Sequence, residues 1–222
     1  MKLLDNLHAF IWQSTTTNNC NAYFIDGPTR ILIDPGHRTL FNHVDLGLKN
    51  LGLKADDIDL VVCTHAHPDH LEAVELFKKK SALFTLNETE WQWVATEEGK
   101  QMSAAFGIDL DALAPDFFIQ EGVLSVNGHE LQVFLTPGHS PGSVCLYWPK
   151  HKALFTGDLV FKDGLGRTDL PGGNGTKIKE SIRRMSQLDV ELLLSGHGNP
   201  IVGAQKVKSN FKRIEEFWFR YV

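Results

Sequence analysis

A chain of 222 residues is long for one domain and short for two, and at that length it can bury most of the apolar surface of its unfolded form. Apolar residues make up 42% and charged residues 22%, as in ordinary soluble globular proteins, and a formal net charge of -5 gives no general affinity for phosphate backbones or anionic surfaces. Nucleic acid and membranes are therefore set aside as partners.

The first segment, MKLLDNLHAFIW, has an apolar stretch broken by Asp5, Asn6 and His8, unlike the uninterrupted apolar region of a secretory signal. No stretch reads as a membrane span. Cys20, Cys63 and Cys145 are odd in number, widely spaced and set among apolar neighbours, which suits buried free thiols in a reducing compartment, so a cytoplasmic location is expected. AYFID (22–26) and RILID (30–34) flank the turn signal Gly27-Pro28 and predict a hairpin. FNHVDLGLKNLG reads as a helix stopping at Gly52, before IDLVVCTH returns to strand.

That strand runs straight into HAHPDH. Residues i and i+2 of an extended segment project to the same side, so His65 and His67 can present two imidazoles to one point. Pro68 then turns the chain, and Asp69 and His70, at the start of the helix LEAVELF, can face a second point close by. Surface or helix-capping histidines are the bland alternative. The HxHxDH order of four ligand-type residues instead favours two adjacent metal ions with nitrogen and oxygen ligands.

Further along, Lys78-Lys79-Lys80 reads as the solvated tip of a helix. Asn87-Glu88-Thr89-Glu90 has capping-box spacing and opens a helix bearing Trp91 and Trp93. Those tryptophans, with Met102 and Phe106, fit either an apolar substrate wall or the core of a helical insertion. LQVFLT, SVCLYW, KALFTGD and VELLLSG are the later strands. His139 sits in the tight loop TPGHSPGS, Asp158 ends the strand FTGD, and His197 lies between two glycines in LLLSGHGNP. Each has a structural alternative taken alone, but all stand at strand exits, where sites of α/β sheets are assembled. In the C-terminal NFKRIEEFWFRYV, Phe211, Ile214, Trp218 and Tyr221 share one helical stripe, predicted to dock on a sheet. ILIDPG before a strand ending at His65 echoes ALFTGD before a strand ending at His197, which points to duplicated β/α halves with sheets face to face.

HxHxDH at His65 to His70, followed by His139, Asp158 and His197 in that order, resembles the metallo-β-lactamase-fold hydrolases, with motifs spread across most of the chain. The resemblance implies an α/β fold of the αββα four-layer sandwich type, as a single domain over 1–222 built from two similar halves. GLGRTDLPGG (164–173), together with LIDPG, is most similar to the short glyoxalase II-type hydrolases (hydroxyacylglutathione hydrolase-like) and their persulfide dioxygenase relatives.

Carried over residue by residue, the resemblance implies one metal ion held by His65, His67, His139 and Asp158, and a second held by Asp69, His70, His197 and Asp158. The shared aspartate makes chemical sense, because one carboxylate has two oxygens to divide between cations and offsets part of their repulsion. The two divalent ions are expected to be zinc, with iron or manganese as alternatives, since histidine and carboxylate suit all three. A hydroxide between them is the implied nucleophile, oriented by Asp69, which also relays a proton. The implied substrate is a small thioester or related acyl compound. Aspartate at position 158 argues against a β-lactamase, and LVFKDG after it lacks the tyrosine that lactonase relatives often place there. Larger glyoxalase II enzymes grip glutathione with a C-terminal helical extension, whereas this sequence ends one helix after His197, so glutathione itself is not implied. Arg167 could bind a substrate carboxylate or pair with Asp169 to brace the metal loops, and the pairing is preferred. The alternative function is a mononuclear iron persulfide dioxygenase on His65, His139 and Asp158; a lactonase or a non-catalytic metal-binding module fits less well.

Overall fold

The computed structural model describes residues 1–14, 16–78, 81–105 and 109–222. A seven-stranded sheet runs in the order β1 (Lys2–Leu4), β2 (Leu7–Phe10), β3 (Ala22–Ile25), β4 (Ile31–Ile33), β5 (Leu60–Val62), β6 (Leu83–Asn87), β7 (Phe117–Ile119). The first four strands form an antiparallel meander, and β4 to β7 pair in parallel. Parallel neighbours need crossovers. These are α1 (Asn42–Lys49), then α2 (Pro68–Leu71) with α3 (Glu75–Lys78), then α4 (Glu88–Val94) with α5 (Glu97–Ala105).

A second sheet of six strands comprises β8 (Gly122–Val126), β9 (His129–Leu135), β10 (Val144–Trp148), β11 (Ala153–Gly157), β14 (Leu192–Ser195) and β15 (Ile201–Val202). Its one parallel pair, β11 with β14, is connected by the two-stranded ribbon β12 (Val160–Phe161) and β13 (Gly164–Leu165) and then by α6 (Gly175–Met185). The last helix, α7 (Ala204–Arg213), follows β15.

Three apolar layers hold these elements together. Between the sheets, Tyr23, Ile31, Ile33 and Val62 meet Val133, Leu146, Phe155 and Leu194. Phe24, Leu32 and Val61, on the outer face of the first sheet, pack under Val44, Leu48, Phe77 and Val94 of its helices. Cys145, Leu154 and Leu193 do the same for the second sheet under Ile178, Met185, Val207 and Phe211. The result is the expected helix–sheet–sheet–helix sandwich. It explains why the central strands read as unbroken apolar runs: both of their faces are covered. Each such Leu, Ile, Val or Phe contributes roughly 1.5–3 kcal/mol by burial. Among the described residues, no helix is long and apolar enough to cross a membrane.

Several local expectations are corrected. The strand before the histidines stops at Val62 instead of reaching His65, because Thr64 gives its N–H to the Asp34 carboxylate and not to a neighbouring strand. The capping box at Asn87 is only half made. Asn87 accepts the Thr89 N–H as a cap, but Glu90 turns inward and is fully buried. The C-terminal stripe changes phase after Ile214, where a π-type turn bonds Phe219 N–H to the Ile214 carbonyl. That extra residue per turn buries Phe219 (8% exposed) and leaves Trp218 (41%) and Tyr221 (73%) outside. Trp91 and Trp93 pack against the outer core of the first sheet. The side chain of Met102 and the whole of Phe106 lie outside the described residues, as do Lys79 and Lys80, while Lys78 pairs with Asp116.

Candidate metal centre

Four chain segments meet at the carboxyl ends of β4, β5, β11 and β14, and a fifth, the turn after β9, reaches over from the second sheet. The turn after β4 opens on Asp34, held in the left-handed region at φ 53° and almost fully buried. Its Oδ1 accepts the Thr64 N–H at 2.8 Å and its Oδ2 accepts the Thr64 hydroxyl at 2.8 Å. Both bonds fix the segment that leads into His65.

Past that anchor, the seven ligand-type side chains gather in one place. Ring centroids lie 4.8 Å apart for His65 and His67, 4.8 Å for His65 and His139, and 4.5 Å for His67 and His139. On the other side, His70 sits 4.1 Å from His65 and 5.5 Å from His197, centroid to centroid. Asp158 stands between the two sets. Its Oδ1 is 3.2 Å from His70 Nε2, and its Oδ2 is 3.5 Å from His139 Nε2 and 3.3 Å from His197 Nε2. Asp69 Oδ2 lies 3.3 Å from His197 Nε2 and accepts the Asn18 amide at 2.7 Å. Three sets of side chains have ligand atoms within 4.8 Å of one another: His65, His67 and His139; His65, His70 and Asp158; and Asp69, His70 and His197.

The outer hydrogen bonds decide which ring nitrogen faces inward. Nδ1 of His139 meets the Arg167 carbonyl at 2.8 Å, so Nε2 points to the cluster, 2.8 Å from His67 Nδ1. Nδ1 of His70 stands 2.9 Å from Asp34 Oδ2, close enough for strong attraction though off the line of a hydrogen bond. The His197 turn is gripped from the first sheet: the Asn21 amide donates to the Ser195 and Gly198 carbonyls at 3.0 and 2.8 Å, and the Tyr23 hydroxyl donates to the Ser195 carbonyl at 2.7 Å. Glycine is required at 196, since a Cβ there would overlap Asp158 Oδ1 and the His70 ring. The carboxylate of Glu90 also joins two segments, taking the Ala66 N–H on one oxygen and the Ser140 hydroxyl and Gly142 N–H on the other.

Electrostatically the cluster has two sides. Burial, reinforced by the neighbouring imidazoles, drives His65 well below its usual range, and burial followed by His139 takes His67 down to about 3. Burial also lowers His139, so these three rings are neutral. For His70 and His197 burial acts the same way but is outweighed by Asp158 and a second carboxylate, Asp34 or Asp69; His70 is held well above its usual value and His197 at about 9. Burial would raise Asp69 and Asp158, yet contact with His197 and the charge of His70 keep both ionised. The charges of Asp69 and Asp158 thus favour positive charge at His70 and His197, from protons when no cation is bound.

This donor set fits divalent cations. His65 meets the Thr64 hydroxyl through Nδ1, and its Nε2 is buried without a hydrogen-bond partner among the described residues, an arrangement that costs free energy unless an electrophile completes it. Cations on the Asp69 and Asp158 side would take the place of the protons, so binding should release acid.

The cluster floors a cavity of about 500 Å³ walled by Pro68, Phe161, Leu165 and Leu170, with Asn18, His37 and Arg167 supplying its other polar groups. Phe161 stacks edge-on to His197 at 5.7 Å. Trp91 and Trp93 are not part of this wall. Arg167 does pair with Asp169, through two bonds of 2.8 and 2.7 Å, but both side chains are exposed, and it is the Arg167 backbone carbonyl that touches a cluster histidine. Sequence reasoning missed Asn18, Asn21, Tyr23, Asp34, His37, Thr64 and Glu90. Only Asp34 carried a signal, as the mirror of Asp158 in the echo between the two halves.

Residues 15–197 match the family model described as metallo-beta-lactamase superfamily. The chain is 35% identical over 183 residues to the probable metallo-hydrolase YqgX of Bacillus subtilis, a match covering 80% of this chain and 84% of that protein. It is 30% identical over 202 residues to hydroxyacylglutathione hydrolase GloC of Haemophilus influenzae, covering 86% and 91%. Among solved structures, TTHA1623 in a di-iron-bound form superposes with a TM-score of 0.69 at 28% identity, over 88% of this chain and 92% of that one.

Proposed function

The chain belongs to the metallo-beta-lactamase superfamily, a metallo-hydrolase with a His/Asp metal-binding cluster, and from that premise we propose that it is a dinuclear hydrolase of small thioesters. The observation that carries the reading is the position of Asp158, within 3.5 Å of histidines from both sides of the cluster, so that one carboxylate serves two cation sites. His65, His67, His139 and Asp158 would hold one ion, and Asp69, His70, His197 and Asp158 the other. When bound, such ions would supply a Lewis acid and bring the pKa of water down to about 7.

The chain's own residues do the rest. Asp69, which lines the cavity floor with its carboxylate held by the Asn18 amide, would accept and relay a proton. Phe161, Leu165, Leu170 and Pro68 exclude water and offer an apolar surface to an acyl chain or thiol. Similarity to a protein named hydroxyacylglutathione hydrolase supports the thioester class, and similarity to a di-iron form supports two ions. Thioester hydrolysis needs no oxygen. Purified without chelator, the protein is expected to carry close to two ions per chain, counting zinc, iron and manganese together, and to release thiol from S-lactoylglutathione or a simpler acyl thioester equally in air and under anaerobiosis. Inert thioesters, a single iron and oxygen uptake with glutathione persulfide would replace the hydrolase reading with a dioxygenase.

Arg167 at the cavity rim is the candidate substrate contact. Its ion pair with Asp169 is exposed and contributes little to stability. Arg167→Ala is therefore expected to retain its metal and its melting temperature, and to raise KM with little change in kcat, the pattern of lost uniform binding. Metal loss in this variant would show that the pair braces the loop beneath it.

A further inference from the structure

We propose that Glu90 is a positioning residue for the metal centre: its buried carboxylate fixes the spacing between the His65–His67 segment and the His139 loop, and so sets how well those three histidines close on an ion. The inference rests on the reading that this triad binds metal. Glu90 occupies the first turn of α4, directly after β6, which pairs with β5, the strand that delivers the histidines. It is 0% exposed. Oε1 accepts the N–H of Ala66, the residue between His65 and His67, at 2.9 Å. Oε2 accepts the Ser140 hydroxyl at 2.8 Å and the Gly142 N–H at 2.7 Å, just beyond His139.

Among the described residues, no cation pairs with Glu90; three neutral donors satisfy it. Burying a carboxylate in this way is costly, and a leucine of similar bulk would fill the space at less expense. What a leucine cannot do is present one oxygen to each of two loops. The His139 loop seats directly on the helix, because a Cβ at Gly142 would overlap the Glu90 backbone. Across this joint, His67 Nδ1 and His139 Nε2 stand 2.8 Å apart, and functional groups at that separation need their supports fixed to within about 0.5 Å. The coupling runs between parts of the chain that share no strand pairing: Glu90 belongs to the first sheet's crossover, His139 to the turn between β9 and β10.

Glu90→Gln is the direct test. Glutamine has the same length but one acceptor oxygen, so whichever way its amide faces, either Ala66 or Gly142 directs an N–H at an NH2 group. Chelator-stripped wild type and variant are titrated with Zn2+, and separately with Co2+ to follow its absorption bands. One of the two binding events is expected to weaken by about 10–100-fold in Glu90→Gln, the usual loss when a group behind a metal ligand is removed, with the other event little changed. Ser140→Ala, which removes one donor and leaves the two backbone donors in place, should weaken the same event by less, with a modest fall in the melting temperature of the stripped protein because the hydroxyl also bonds Ser143. Unchanged affinity in Glu90→Gln, even with a lower melting temperature, overturns the proposal and leaves Glu90 a stabilising residue only. Should Glu90→Gln fail to fold, Ser140→Ala decides, unchanged affinity again being the contrary result. Wild type that takes up no ion overturns the metal-centre reading itself, a different failure from a variant that matches wild type.

Discussion

Replacing Asp158 with alanine is expected to yield folded protein that holds neither ion and has lost hydrolysis by several orders of magnitude. The carboxylate touches His70, His139 and His197 at once, and among the described residues no other acidic side chain is paired with histidines from both sides of the cluster. Its removal takes an anionic ligand from each ion and leaves the repulsion between them unrelieved. The fold should survive, because Asp158 contributes nothing to the three apolar layers, as circular dichroism can verify. Elemental analysis is the primary readout and thiol release the second. Asp158→Ala protein that retained two ions and near-normal turnover would sink the bridging role.

The second large effect is expected at Asp34. Asparagine tolerates the left-handed backbone at this position, so Asp34→Asn isolates the charge from the conformation. The amide oxygen can still accept the Thr64 N–H, but the NH2 group then faces His70 Nδ1, where the wild type has a carboxylate oxygen at 2.9 Å. A donor there stabilises the imidazole tautomer protonated on Nε2, the nitrogen that faces Asp158. We expect affinity at the Asp69, His70 and His197 side to fall by about 10–100-fold, stability to fall by roughly 1–3 kcal/mol, and activity to recover at saturating metal. Unaltered metal affinity would mean that packing and Asp158 alone orient His70.

The parts of the site that could be read from sequence were those whose chemistry is compressed into a few adjacent positions. HAHPDH announces itself because ligand-type residues crowd together after a strand, and the sandwich follows from apolar runs alternating with helical segments. Glu90 looked like half of a capping box since its spacing to Asn87 is local, while its true partners at Ala66, Ser140 and Gly142 lie in other segments. Asn21 was invisible for the same reason: nothing near position 21 foretells that its amide will hold a turn 174 residues away. The C-terminal stripe failed differently, for 3.6-residue periodicity extrapolates through Ile214 whereas the backbone there widens into a π turn.

The Asn21 and Tyr23 grip on the Ser195 carbonyl has a consequence for how the molecule comes into being. Closing a loop of that length costs entropy before it yields any contact, so the joint is expected to form late, after both sheets have acquired their own strand pairs. During synthesis the segment bearing Asn21 and Tyr23 leaves the ribosome long before the turn that bears His197. Until that turn arrives, nascent chains display His65, His67 and His70 without the partner that completes the Asp69 side. Stable loading of the full pair of ions is thus tied to the synthesis of that turn, and a translation-arrest series cut before residue 195 should retain at most the His65, His67 and His139 group.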